Sequence, residues 1–270
     1  MPQPLSSVGR EFDLTPFPDL ALHDAINRFV RDIGGPLSFI HSGSDTPMYV
    51  RGSALRLPAL FARPGESEMP NLAEAVQISL PVASADPALF LSLALARENA
   101  LRTLAEITPH AGVDMRVVIL LLCTTLAGAA RAAERTAYAY ARQRWSGGRP
   151  IWQYQAVARR LAEAEIAADD TELSILEMAS TIDDASSQAC NTARTRIHLA
   201  DPHFVSLAKH IMVATDTAVD ECFMILAGYG YTIDSAPARL RMLTDPIVET
   251  VRRLLEAHLL PIPQLNQSME

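Results

Sequence analysis

The sequence predicts a mainly α-helical protein whose long helices pack as an antiparallel bundle. Three observations favour this fold class. Apolar residues make up 49% of the 270 residues, enough for a large buried core. From about Pro87 onward, apolar residues recur at the three- to four-residue spacing of amphipathic helices. Glycine and proline fall mostly between these periodic segments, as expected for short connections between antiparallel neighbours.

The region before Pro87 has a different texture, because prolines and short apolar pieces interrupt any long helical period. A short helix is expected around "PDLALHDAINRFVRDIGG", where apolar residues have helical spacing and Gly34-Gly35 would end the helix. Loops and a few short strands are expected after it. The predicted domains are therefore a reduced N-terminal region, residues 1–87, and a helical bundle, residues 88–270.

Five helices are predicted in the bundle from their periodicity and their start and stop signals. The third contains neither glycine nor proline up to about Asp184 and has a phase slip near Asp169-Asp170. The fourth ends near Gly228, and Pro261 closes the fifth. Their expected starts, in order, are Pro87, Asp114 as an N-cap, Trp152, Asp201 and Thr244.

Charge and composition exclude several classes of function. The formal net charge is −8 and no basic run is present, which argues against nucleic-acid binding. The longest apolar stretch, Val117 to Ala130, is shorter than the roughly 20 residues that span a bilayer, and no signal peptide is expected. Three widely spaced cysteines argue against a disulfide framework or a zinc site and favour a cytoplasmic location.

Two helix-to-helix joints carry the residues that suggest a chemistry. They are "YARQRWSGGRPIWQYQ" and "MILAGYGYT", and each is a glycine-containing turn with aromatic neighbours. Arg142 and Arg144 precede the first turn. They could simply be cations favoured by the dipole at a helix C-terminus. Alternatively they could form an anion site, because a guanidinium pairs with a pyrophosphate through two hydrogen bonds.

Together the joints resemble the acyl-CoA dehydrogenase family. The first is similar to its Y-A-R-x-R-x-x-F-G-x-P-I-x-x-x-Q segment and the second to its Q-x-x-G-G-x-G-Y-T segment, in the same order and at a comparable distance. The resemblance covers about residues 110–260 and implies the family's C-terminal helical domain. It also implies an FAD enzyme that removes an α-proton and a β-hydride from an acyl thioester of coenzyme A or a carrier protein.

The resemblance assigns roles to residues of both joints. Arg144 matches the pyrophosphate-binding position, and Tyr154 and Gln155 match positions near the adenosine end of FAD. Trp145 would replace the family's phenylalanine, whose position is Gly147 here. The second joint would cover the cofactor of a partner subunit. The implied cofactor-binding residues are Arg144, Trp145, Tyr154, Gln155, Met224, Ala227 and Gly228.

The catalytic base and the oligomeric state also follow from the resemblance. Glu249 is the carboxylate nearest to the family's usual base, although Pro246 occupies the aligned position. Glu249 could instead be a solvated first-turn residue of the last helix. Asp114 is the alternative base, or an N-cap. The family implies a homodimer or homotetramer, or a hetero-oligomer in which this chain is a non-catalytic partner of a full-length relative. A third interpretation is that the family's ancestral acyl pocket carries out non-redox chemistry on an acyl chain.

No metal site is expected. His203 and His210 are seven residues apart, two turns of a helix, which is too far for one ion without a further ligand. Surface positions are expected for both histidines. The pairs Asp169-Asp170 and Asp183-Asp184 are also expected to be solvated helix positions.

Overall fold

The computed structural model describes residues 28, 71–95, 115–189 and 201–258, and it confirms a mainly α-helical fold. One two-stranded antiparallel sheet accompanies the helices of this part of the chain. The helices are α1 (Leu72–Ala85), α2 (Pro87–Leu95), α3 (Met115–Gln143), α4 (Gln155–Ala189), α5 (Pro202–Leu226) and α6 (Ala236–His258). The strands are β1 (Trp145–Ser146) and β2 (Arg149–Pro150), and 3-10 turns span Ile151–Gln153 and Ala227–Tyr229.

Helix α3 is the central helix of the described ranges, because α1, α2, α4, α5 and α6 all pack against it. Most of its residues are buried, including the run of apolar side chains in its first half. By length and composition α3 could cross a membrane, but 89% of its most apolar window is buried inside the protein. This burial is that of the core helix of a packed bundle.

Ion pairs fix the antiparallel arrangement of α4 and α5. Residue numbers rise along one helix as they fall along the other. The pairs that cross between these helices are Arg160–Glu221, Asp170–His210 and Glu177–His203. The joint after α3 adjoins the start of α4, and the joint after α5 adjoins the end of α5. Because α4 and α5 are antiparallel, both joints lie at the same end of the bundle.

Helix α1 replaces part of the region in which loops and short strands were expected, so that prediction is wrong for residues 72–85. Asn71 caps the helix by accepting a hydrogen bond of 2.8 Å from the Glu74 amide. The Asp183 carboxylate accepts two more, from the first two amides of α1, at 3.0 and 3.1 Å. Pro81 lies inside the helix, where it removes one backbone donor. Asp183 is therefore a capping residue and not the solvated position that was expected.

Helix α6 begins eight residues earlier than the expected start at Thr244. The buried Ser235 precedes it, and its hydroxyl oxygen accepts a hydrogen bond of 3.3 Å from the Ala238 amide. Pro246, which would have been near the start of the expected helix, lies inside α6. Glu249 is consequently not in the first turn of the last helix, and that alternative for Glu249 is wrong.

The other predicted helices agree with the structure to within a few residues where they can be compared. Helix α2 starts at Pro87 as expected, and α5 is capped by Asp201, which accepts from the His203 amide. Helix α4 starts at Gln155, three residues after the expected start. Asp114 and the end at Pro261 lie outside the described residues, and of the short N-terminal helix only Arg28, which is helical, is described. The boundary at residue 87 stays a prediction, although α1 packs against α3 and α4.

Candidate functional site

The first joint is a tight β-hairpin between α3 and α4. Strand residues Trp145 and Pro150 are partners, and Gly147 and Gly148 form the turn. Both glycines have positive φ, +55° and +82°. A two-residue hairpin turn with positive φ at both positions strongly favours glycine. This backbone explains why the phenylalanine of the family motif is absent at position 147.

Tyr154 holds the hairpin in place. Its hydroxyl donates a hydrogen bond of 2.7 Å to the Ser146 carbonyl oxygen. The Arg149 guanidinium lies over its ring, 4.1 Å from the centroid. A Cβ at position 147 would stand 2.5 Å from the Tyr154 hydroxyl oxygen. Tyr154 is thus part of the hairpin's own structure, and its role near the adenosine end of FAD stays a prediction.

The second joint is a compact turn that follows the C-terminus of α5. Ala227 has a φ of +49°, and its carbonyl oxygen accepts a hydrogen bond of 2.9 Å from the Gly230 amide. The ring of Tyr231 packs on that of Phe223 with 5.3 Å between centroids. Gly228 lies on the open side of the turn, where a Cβ would meet no atom within 4 Å.

The structure brings the two joints together. Tyr140, in the last turns of α3, stacks on Tyr229 of the second joint, with 6.2 Å between centroids and 1° between ring planes. Leu226 of the second joint belongs to a buried apolar cluster, and Ile151 of the first joint packs against that cluster. The residues predicted to bind a cofactor therefore surround one end of the bundle.

The surface at this end is rich in exposed aromatic and apolar side chains. Trp145 is 62% exposed, Met224 51% and Ile233 74%. Tyr229 and Tyr231 are exposed as well. Exposed apolar groups of this size, when several come from adjoining segments, mark interaction or ligand surfaces.

Arg144 is the cation best placed to bind an anion here. Its amide donates to the Tyr140 carbonyl oxygen at 2.9 Å, and its carbonyl oxygen accepts from the Ile151 amide at 2.8 Å. The backbone is therefore held on both sides. The exposed guanidinium has no carboxylate partner within the described part of the chain. A fixed backbone with an unpaired guanidinium is suited to bidentate anion binding.

Residues 117–249, which contain both joints, match the family model described as acyl-CoA dehydrogenase, C-terminal domain. Over this segment, which is just under half of its 270 residues, the chain is similar to the acyl-CoA dehydrogenase family. The match runs from the third residue of α3 to Glu249 in α6, so both joints and the helices around them resemble this family's C-terminal domain. No curated protein matches the chain.

Glu249, the predicted base, is a half-exposed residue held by two arginines. Its carboxylate accepts hydrogen bonds of 2.8 Å from Arg253 and 2.7 Å from Arg252. The hydrogen bond from Arg253, with the positive charge of both arginines, lowers the pKa of Glu249. A general base that works near neutral pH is favoured by a raised pKa. The surroundings of Glu249 instead lower its pKa.

Glu249 is also far along α6 from the joints. It follows Ala236 by 13 residues, about 20 Å at 1.5 Å per residue. Its neighbour Val248 belongs to the core cluster that contains Phe204, from the start of α5. Leu240 belongs instead to the cluster at the joints. The structure does not bring Glu249 to the predicted cofactor residues, and its catalytic role stays a prediction.

A buried arginine in the body of the bundle was missed by the sequence analysis. The Arg131 side chain, only 9% exposed, pairs with Asp169, with Glu172 at 2.7 Å and with Glu134 at 3.6 Å. Desolvation raises the pKa of Glu134. The Asp169 side chain is 57% exposed, so the expected solvated position is confirmed, although its carboxylate also binds Arg131. The network ties α3 to α4 and lies within the bundle rather than at the joints.

The two histidines considered as metal ligands are paired separately across α4 and α5. His203 Nε2 lies 2.8 Å from Glu177, and His210 Nε2 lies 3.9 Å from Asp170. All four side chains are about half exposed. Within the described ranges no three potential ligands converge as a metal site would require.

Proposed function

We propose that this protein is an acyl-CoA dehydrogenase-like flavoprotein that oxidises the CH–CH group of an acyl thioester. The observation that carries the proposal is the meeting of the two family motifs through Tyr140 and Tyr229, beside the unpaired Arg144. FAD, when bound, would accept the hydride from the β-carbon of the thioester. The acyl group would be carried by coenzyme A or by a carrier protein.

The first joint would hold the phosphate and adenosine part of FAD. Arg144 would pair with the pyrophosphate through two N–H donors. Trp145, the next residue, offers a largely exposed indole ring as an apolar surface beside it. Gln155, at the exposed start of α4, would donate or accept a hydrogen bond near the adenosine.

The second joint would approach a cofactor through its backbone. Met224 and Ala227 are exposed, and the open space at Gly228 lets a flat group come close to the main chain. This arrangement suits a cofactor bound between subunits, and we therefore propose a homodimer or homotetramer. The exposed aromatic side chains at the same end support such an interface.

A second candidate is a non-catalytic partner subunit of a full-length relative. The ion pairs of Glu249 and its distance from the joints favour this function, because they leave no carboxylate with a raised pKa in the predicted position. In that assembly this chain would contribute Arg144 and the second joint to a flavin held by the relative.

Titration with FAD tests the proposal. Arg144→Ala should weaken FAD binding by on the order of 2–4 kcal/mol, because a charge-assisted pair is removed. Arg159→Ala is the matched control, since Arg159 lies on the next helix, is 80% exposed and already pairs with Glu163. The control should bind FAD like the unchanged protein. Equal affinity of the Arg144 variant and the control would refute the assigned role.

Anaerobic reduction separates the two candidates. For a dehydrogenase, an acyl thioester should bleach FAD bound to the purified protein. Bound FAD that no acyl thioester reduces would favour the non-catalytic subunit.

A further inference from the structure

The first joint carries a positive surface that is unusual for this acidic chain. Between Glu134 and Glu163 the sequence contains six arginines and no acidic residue, whereas the whole chain has a formal net charge of −8. Arg159 and Arg160 are paired with glutamates. A local excess of positive charge therefore remains around the hairpin.

Two of these arginines are held by aromatic rings instead of carboxylates. The Arg142 guanidinium lies 4.9 Å from the Tyr138 ring centroid, and that of Arg149 lies 4.1 Å from the Tyr154 centroid. Stacking engages the face of a guanidinium and leaves its in-plane N–H donors available. Neither arginine has a carboxylate partner among the residues that the structure describes. Both are thus oriented for bidentate carboxylate binding with little further loss of side-chain entropy.

The surroundings of these arginines are those of a protein-binding surface. Residues 142–149 are all exposed, so their side chains are accessible to a partner. Trp145 and Trp152 are 62% and 42% exposed. Tryptophan, tyrosine and arginine are the residue types that dominate binding energy at protein interfaces. The Gly147-Gly148 turn and the Tyr154 hydrogen bond keep the surface rigid before any partner arrives.

We propose that this basic hairpin surface, formed by Arg142, Arg149 and Trp152, docks an acidic segment of a partner protein. Carboxylates of the segment pair with the two stacked arginines, and its apolar side chains cover the indole ring of Trp152. An anionic membrane is an extended surface, so it would also come close to residues outside the hairpin, where the net negative charge of the chain repels it. A protein segment meets only the local positive surface, because charges beyond about 8 Å are screened at physiological salt.

The test measures fluorescence anisotropy of a fluorescein-labelled polyglutamate peptide titrated with the full-length protein. Binding is expected at low salt and should weaken as salt is added. The double variant Arg142→Gln/Arg149→Gln should weaken it by about tenfold, because two exposed ion pairs are lost. Arg159→Gln removes one charge that is already paired and should change it much less. The double variant leaves Arg144 in place, so FAD binding reports separately on the proposed cofactor site.

Three outcomes would overturn the proposal. The first is equal peptide affinity of the double variant and the Arg159 control. The second is the absence of peptide binding while phosphatidylserine vesicles or inorganic pyrophosphate bind in a manner that depends on Arg142 and Arg149. The third is self-association of the protein that the double variant abolishes, with no peptide bound, since the occupant would then be a second copy of this chain.

Discussion

Gly128→Ala tests whether α1 is an integral part of the bundle. A Cβ at position 128 would stand 2.4 Å from the carbonyl carbon and oxygen of Ala83 and 2.6 Å from its Cβ. Carbon atoms normally approach to about 3.5–4.0 Å, so α1 would have to move away from α3 by about 1 Å. The obstacle is backbone, which cannot rotate aside as a flexible side chain does.

Two opposing effects set the size of the expected change. Overpacking of this kind costs about 1–3 kcal/mol in the free energy of unfolding. The higher helix propensity of alanine stabilises the folded protein by about 1 kcal/mol relative to glycine. Because a backbone contact relaxes poorly, we expect the variant to be destabilised by about 1–2 kcal/mol. Urea unfolding followed by far-UV circular dichroism measures the change.

Gly228→Ala is the matched control, because a Cβ there meets no atom within 4 Å. The control should remain within about 0.5 kcal/mol of the unchanged protein. If α1 did not pack on α3, only the propensity effect would act, and Gly128→Ala would be stabilised. A Gly128 variant as stable as the unchanged protein, or more stable, would refute the packing described for α1.

Three further predictions concern buried charge, the hairpin and the thiols. Arg131→Met should lower the free energy of unfolding at neutral pH by about 3 kcal/mol, because its carboxylate partners lose their cation. Burial already raises the pKa of Glu134 while Arg131 acts to lower it, so loss of Arg131 would raise this pKa further; the deficit should therefore shrink as pH falls, and a pH-independent deficit in urea titrations would contradict the prediction. Tyr154→Phe removes one hydrogen bond from the hairpin and should cost about 0.5–1 kcal/mol in the same assay, whereas an unchanged stability would show that the bond contributes nothing. Burial raises the pKa of Cys123 and of Cys222 to about 12, so in a Cys190→Ser variant a disulfide reagent should label neither thiol before unfolding and both after it; labelling of the native variant would disprove their inertness.

The helices that the sequence predicted are those whose signals are local. In α3, α4 and α5, periodicity and nearby proline or glycine residues determine the element within a few residues. Helix α1 was missed because Pro81 was interpreted as a breaker. Part of its cap comes from Asp183, more than a hundred residues away in sequence. The expected start of α6 at Thr244 was wrong, because the helix begins directly after the buried Ser235.

The candidate site was predictable in its motifs and less so in its geometry. The proximity of both joints follows from the family resemblance, but the clamp formed by Tyr154 depends on the turn that Gly147 allows. Two of the three partners of Arg131 are 38 and 41 residues away in sequence, so no local pattern reveals that α3 and α4 are joined here. The ion pairs of Glu249 could have been read from the sequence, because arginines three and four residues later share its helix face.

The most direct test of the central claim is the visible absorption spectrum of the protein after incubation with FAD and desalting. If the joints form a flavin site, the unchanged protein and the Arg159→Ala control retain the two visible bands of oxidised flavin. The Arg144→Ala variant should lose most of that absorbance under the same conditions. A colourless unchanged protein, or full retention of flavin by the Arg144 variant, would contradict the account.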